Sequence, residues 1–210
     1  MSRTSRSEDT RRHILEAAER QFLTHGYAGT RVEEIATDAH VSVGTIYLHY
    51  GNKEGLYSAV LVHAQEVLLD EYLAPVFALD ATPWERIRAW CHAYVDFTID
   101  HTDRARLMAV IEWWEAERPP ELDQQLRDRI RTRDAQLLAV FAEAAEQGEL
   151  EGVDPATANR FVWSAMYGIC ALNIRHADLS LSPETMHALV DDGLRMLSGG
   201  RTARSGQIEA

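Results

Sequence analysis

The chain has 210 residues, 46% of them hydrophobic, enough for one large or two modest packed domains and too many for a disordered tail protein. The net charge of −12 is unevenly spread: residues 1–53 carry seven Arg/Lys and seven Asp/Glu, residues 54–210 fourteen and twenty-six. Phosphate repels an acidic body, so any contact with nucleic acid is confined to the N-terminal part. Cys91 and Cys170 are far apart and lack a Cys-x-x-Cys partner, which argues against a disulfide framework or a zinc site and for a reducing, cytoplasmic setting. No run approaches the roughly 18 apolar residues of a membrane span, and the N-terminus has no apolar leader segment, so neither insertion nor export is expected.

In chain order, residues 1–9 lack periodicity and are expected to form an arm, with Arg3 and Arg6 able to reach phosphate. A helix follows to about His25, with Ile14, Ala18 and Phe22 on one face and Gly26 as its cap. From Thr30 to Lys53 the spacing predicts two short helices separated by a four-residue turn, the outline of a helix-turn-helix. Thr30 is expected to cap the first helix, whose Val32, Ile35, Ala36 and Ala39 form a buried stripe. The turn holds His40 where such motifs favour Gly, a position that tends to need positive φ. Ser42 is expected to cap the second helix, with Ile46 and Tyr50 inward and Val43, Gly44, Thr45, Tyr47 and His49 outward. Asn52 caps the next helix, and Lys53 in its first turn suits a phosphate contact.

Tyr27-Ala-Gly-Thr-Arg-Val-Glu-Glu-Ile-Ala36, Val41-Ser-Val-Gly-Thr-Ile-Tyr-Leu-His-Tyr50 and Asn52-Lys-Glu-Gly-Leu56 together resemble the DNA-binding domain of TetR-family transcriptional regulators. The resemblance runs from about Ile14 to Val60; Val43 stands where the family often has Lys, and Arg31 where it often has Thr or Ser. With the outward positions, it points to Thr30, Arg31, Ser42, Val43, Gly44, Thr45, Tyr47, His49 and Lys53 as the DNA-facing set.

The remainder is expected to be helical. One helix runs from Lys53 to about Leu73, before Pro75, and others over 83–100, 104–116, 120–147, 155–176 and 183–197. Pro83, Pro120, Pro155 and Pro183 stand at first-turn positions, and Gly148 and Gly199 act as stops. The expected fold is all-α: a three-helix DNA-binding head with its arm over 1–52, a helical ligand-binding and dimerisation bundle over 53–198, and a tail over 199–210.

Five tryptophans exceed the needs of a minimal core. Trp90, Tyr94, Trp113, Trp163 and Tyr167 are the candidate lining of an apolar effector cavity, with plain core packing as the competing reading for each. His92 and Asp96, at i and i+4, are too few ligands for a metal. Phe161, Ala165, Ile169 and Leu172, with Met186, Leu189, Val190 and Leu194, could pack against a second copy or complete the core of one chain. Resemblance to the family favours the homodimer, since two heads match a palindromic double-stranded operator. The expected function is a ligand-responsive transcriptional regulator, which the resemblance implies is a repressor, released from its operator by an apolar or aromatic small molecule. The alternative is a DNA-bound adaptor whose body takes a protein partner. No catalytic constellation, cofactor motif or metal spacing is visible, so neither an enzyme nor a cofactor is expected.

Overall fold

A computed structural model of the chain describes residues 3–112, 120–150, 152–175 and 180–198, among which every regular element is helical. The chain divides into two compact units, one of Met1–Val67 with Arg106–Leu126, the other of Leu68–Ala105 with Arg127–Ala210. The tail over 199–210 lies outside the described residues.

In the first unit, α1 (Arg3–Gly29) begins well before the expected start, so the anticipated arm is helical from Arg3. Residues 3–9 contain neither Pro nor Gly to stop a helix, and Asp9 pairs with Arg12 one turn on, at 3.0 Å. Gly26 interrupts the helix at φ 68°, ψ 172°, a conformation that glycine adopts without a Cβ clash. The short α2 (Val32–Asp38) and α3 (Val43–Tyr50) then precede α4 (Lys53–Glu66). Their apolar faces converge: Ile14, Ala17, Ala18 and Phe22 of α1 meet Val32, Ile35 and Ala36 of α2, Ile46 of α3, and Leu56, Val60 and Leu61 of α4. Phe22, Tyr27 and Tyr57 close one side, with ring centres 4.8–6.1 Å apart.

The helix expected to reach Leu73 does so, but with a change of winding. Val67–Leu73 is π-wound and Ala74–Ala78 is a 3₁₀ turn holding Pro75. In the second unit, α5 (Pro83–Asp100) starts in a complete capping box between Thr82 and Glu85 and packs on residues 74–78, α8 (Pro155–Arg175) and α9 (Pro183–Leu197). Between α5 and α8 the chain forms α6 (Thr102–Glu112) and α7 (Pro120–Glu146), after which Gly148 takes φ 72°. Ser182 caps α9 through the Thr185 amide at 3.2 Å, and Asp154 accepts the Thr157 amide at 2.9 Å in the first turn of α8.

Candidate nucleic-acid interface

The turn between α2 and α3 is held by main-chain hydrogen bonds. The Val41 amide donates to the Ala36 carbonyl at 2.9 Å and the His40 amide to the Thr37 carbonyl at 3.1 Å, a complete Schellman motif. That motif requires a left-handed residue at its second bond, and His40 supplies it at φ 55°, as its place in the motif predicted. Val41 then folds back on the core, and Ser42 enters α3 with its hydroxyl 3.1 Å from the Thr45 amide and 2.8 Å from the Thr45 hydroxyl.

Ile46 has no exposed surface, and this fixes the rotation of α3. At about 100° per residue, Gly44 and Leu48 stand roughly opposite Ile46, with Tyr47 beside Leu48. Leu48 is 82% exposed and Tyr47 43%. A Cβ on Gly44 would meet nothing nearer than the Ser42 hydroxyl at 3.7 Å, so nothing inside the protein requires glycine there. A bare backbone at the start of this helix suits close approach by an outside surface. His49 is half-buried, its ring 6.2 Å from that of Tyr50. Tyr50 packs inward as expected and donates to the Arg11 carbonyl at 3.1 Å, while the Arg11 guanidinium lies 5.7 Å from its ring centre. Burial raises the Tyr50 phenol against the opposing pull of Arg11.

Asn52 caps α4 through the Gly55 amide at 2.7 Å, and the Lys53 ammonium lies 4.5 Å from the centre of the Tyr27 ring. The Tyr27 hydroxyl in turn donates to Glu54 at 2.7 Å, holding that carboxyl below its usual range. Lys53 is thus steadied at the first turn of α4, beside the end of α3.

Two residues expected to face DNA are placed otherwise. Thr30 is 3% exposed; its hydroxyl donates to the Gly26 and Gln21 carbonyls at 2.7 and 3.0 Å, tying the link before α2 back to α1 instead of capping α2. The N-cap of α2 is Arg31, which makes no side-chain cap bond and is exposed. Val43 is half-buried and packs against the core formed by α1, α2 and α4. Leu48 is the outward residue that pattern reading missed, although its offset of two positions from Ile46 was enough to find it.

The effector set is only partly assembled among the described residues. Trp90 and Trp163 meet edge to face at 4.8 Å, and Tyr94 completes the trio at 5.7 and 6.1 Å. Trp90 is wholly buried, and the buried indole N–H groups of Trp90 and Trp163 have no acceptor among the described residues. Tyr167 is half-buried on α8, and Trp113 lies outside the described residues. An open groove of about 450 Å³ lies elsewhere in this unit, lined by Leu69, Asp70, Asp128, Arg129, Thr132 and Arg133, and is charged where the expected cavity was aromatic. Of the residues expected to meet a second copy, Phe161, Leu172 and Leu189 are 52%, 44% and 41% exposed, and Ala165 and Ile169 are half-buried. Met186, Val190 and Leu194 are at most 5% exposed and belong to the packed interior, because α9 lays that face on α5 and α8. Met196, 77% exposed and seven residues beyond Leu189, joins the outward row in their place.

A compact trihelical head that displays one face of a short capped helix, joined to a larger helical unit, defines a DNA-binding regulator of the helix-turn-helix class. The chain belongs to the tetR family of bacterial regulatory proteins, whose model matches residues 14–60, while that of the tetracyclin repressor-like C-terminal domain matches residues 87–197. Membership makes it a DNA-binding regulator of transcription and not an enzyme. It is 31% identical over 161 residues to the HTH-type transcriptional repressor SCO4008 of Streptomyces coelicolor, covering 76% of this chain and 77% of that protein. Among solved structures, the TetR family regulator PfmR from Thermus thermophilus superposes with a TM-score of 0.72 at 24% identity, over 87% of this chain and 97% of that one. AibR, solved in complex with isovaleryl coenzyme A and operator DNA, gives a TM-score of 0.72 at 25% identity over 90% and 97% of the two chains. No helix among the described residues is long and apolar enough to cross a membrane.

Proposed function

We propose that the protein is a homodimeric repressor that reads a palindromic operator with Gly44, Thr45, Tyr47 and Leu48, and is released from it by a small molecule bound in the second unit. The observation that carries this reading is the outward face of α3, where an 82% exposed leucine and an internally unneeded glycine share a helix whose cap and buried side are both satisfied. Leu48 can meet a thymine methyl, Tyr47 a phosphate or base edge, and Arg31 and Lys53 the flanking backbone. Ser42 positions Thr45 and the helix end. Phe161, Ala165, Gly168 and Leu172 recur at helical spacing on α8 and, with Leu189 and Met196, offer a surface for a second copy.

The effector is an apolar or aromatic molecule bearing a hydrogen-bond acceptor. Two buried indole donors without acceptors among the described residues favour such a ligand, because an unmet buried donor costs about 1–3 kcal/mol. The complex of AibR with an acyl thioester supports a ligand of mixed apolar and polar character. Release requires that effector and operator oppose each other by about 1–3 kcal/mol, a 5- to 150-fold mutual weakening.

Selection of random duplexes by the purified protein tests this reading. An inverted repeat should emerge, and Leu48→Ala should weaken its binding severalfold while leaving stability within about 0.5 kcal/mol. An unsymmetrical selected site would refute the dimer, and an unchanged affinity and sequence preference in Leu48→Ala would refute the assigned reading face.

A further inference from the structure

Arg88, His92 and Asp96 follow one another at four-residue spacing along α5, and His187 and Asp191 do so along α9. The two rows meet antiparallel. Arg88 donates twice to Asp191, Nε to Oδ1 at 2.7 Å and Nη2 to Oδ2 at 2.9 Å. His92 Nε2 lies 2.9 Å from the same Oδ1, and His187 Nε2 lies 3.1 Å from Asp96 Oδ1. Between them, His92 Nδ1 and His187 Nδ1 are 2.7 Å apart. The ring centres are 4.9 Å apart, so the rings meet nitrogen to nitrogen and not face over face.

This arrangement counts protons. Arg88 and His92 hold the Asp191 carboxyl down to about 2, so Asp191 is a carboxylate that only accepts. His92 Nε2, bonded to that carboxylate, must therefore carry hydrogen, and His187 Nε2, 3.1 Å from the Asp96 carboxyl, is placed to carry one as well. Two neutral rings so arranged would face each other with lone pairs at 2.7 Å, a repulsive contact. Two imidazolium rings would face each other N–H against N–H. A single proton between the two Nδ1 atoms makes the contact a charge-assisted hydrogen bond. With that proton, one imidazolium and Arg88 balance Asp96 and Asp191.

We propose that His92 and His187 hold one shared proton as a pH-sensitive latch between α5 and α9. The proton comes from solvent and returns to it. Among the described residues the other groups in reach are few. Cys91 on α5 is buried near Asp191, Glu184 at the start of α9 is exposed near His187, and Tyr72 of the π-wound stretch interacts with Asp96. Residues 74–78 carry no titratable side chain, and on α8 Cys170 is engaged by the Thr98 hydroxyl at 3.1 Å while Tyr167 is half-buried. Because α9 also buries Met186, Val190 and Leu194 and turns Leu189 outward, the latch governs how firmly a helix with both faces in use is seated.

The sign follows from proton counts. Histidines in an unfolded chain titrate near pH 6.5, so above about pH 7 the unfolded pair holds almost no proton while the folded pair holds one. Stability from the latch is therefore lost as pH rises. Below about pH 6 the unfolded pair approaches two protons while the folded pair accepts one, so stability is lost on that side too. The full-length protein and the His92→Gln/His187→Gln double variant are to be compared by urea unfolding from about pH 5.5 to 8.5. Between about pH 7 and 8 the unfolding constant of the wild type should rise about five- to tenfold per pH unit relative to the variant. Equal slopes overturn the proposal. If the variant does not fold, nitrogen-15 NMR of the wild type at neutral pH decides: both Nε2 protonated and one proton shared across the Nδ1 pair supports the latch, and two neutral rings overturn it. Stoichiometric Zn²⁺ uptake by the wild type, displacing the proton, would overturn it in favour of a metal site.

Discussion

Gly55 gives the sharpest test of how the reading helix is held, because helix propensity and packing predict opposite signs there. Gly55 lies in the first turn of α4, where exchange of glycine for alanine ordinarily stabilises a helix by up to about 1 kcal/mol. A Cβ at this position would stand 2.1 Å from the Tyr50 carbonyl oxygen, 3.3 Å from the Tyr50 carbonyl carbon and 3.2 Å from Asn52 Oδ1. The first two are backbone atoms at the end of α3, and the third is the cap of α4, so neither side can yield without disturbing the junction. The Tyr50 carbonyl also accepts the Asn52 amide at 2.9 Å, a bond that must stretch as the oxygen is pushed away. Overpacking of this kind costs about 1–3 kcal/mol, so Gly55→Ala should be destabilising by a net of about 1–2 kcal/mol. That corresponds to a loss of about 2–8 °C in Tm for a chain of this size. Displacement of α3 should also weaken duplex binding, measured by fluorescence anisotropy beside the thermal melt. Gly193→Ala is the control: a Cβ there meets nothing within 4 Å, and the change should raise Tm slightly. A Gly55→Ala protein as stable as the parent, with unchanged duplex affinity, would refute the assigned rigidity of the junction.

Ser42→Ala should cost about 1 kcal/mol through loss of the cap on α3. Ser42→Asp should retain that stability in urea unfolding yet bind duplex more weakly, its carboxylate meeting phosphate; equal duplex affinities for the Ser42→Asp variant and the parent would place this helix end away from DNA. The two cysteines should be silent toward Ellman's reagent in the native protein at about pH 8, since burial pushes the Cys91 thiol up to about 12 and the Cys170 thiol up to about 11, and the thiolate is the reacting form. Both should react on denaturation, and a rapid thiol in the native protein would contradict the assigned packing of α5 and α8.

The candidate site was legible where it depends on neighbours along the chain. The left-handed His40, the Ser42 and Asn52 caps and the buried Ile46 each follow from residues within four positions, because turns and caps are closed by local hydrogen bonds. Thr30 was misread for the same reason. Its cap partner three residues on was visible, whereas the Gln21 carbonyl nine residues back was not. Val43 was placed outward and Leu48 was left without a place because an apolar side chain does not reveal whether it is turned toward core or solvent; the rotation of α3, set by Ile46, does.

In the second unit the helix limits could be read from proline and glycine, which act on their own stretch of backbone. The sorting of α9 into an interior face with Met186, Val190 and Leu194 and an outer row with Leu189 and Met196 could not, since both are apolar and only contact with α5 and α8 separates them. The meeting of His92 with His187 lies further still beyond pattern reading: 95 residues separate them, and no local rule pairs them. Sequence alone determined the helical class, the proline-marked helix starts and the DNA-reading motif, because these arise from short-range sterics and hydrogen bonding. Tertiary structure decided which side chains face outward and which charges meet, because both depend on how one helix is rotated against the next.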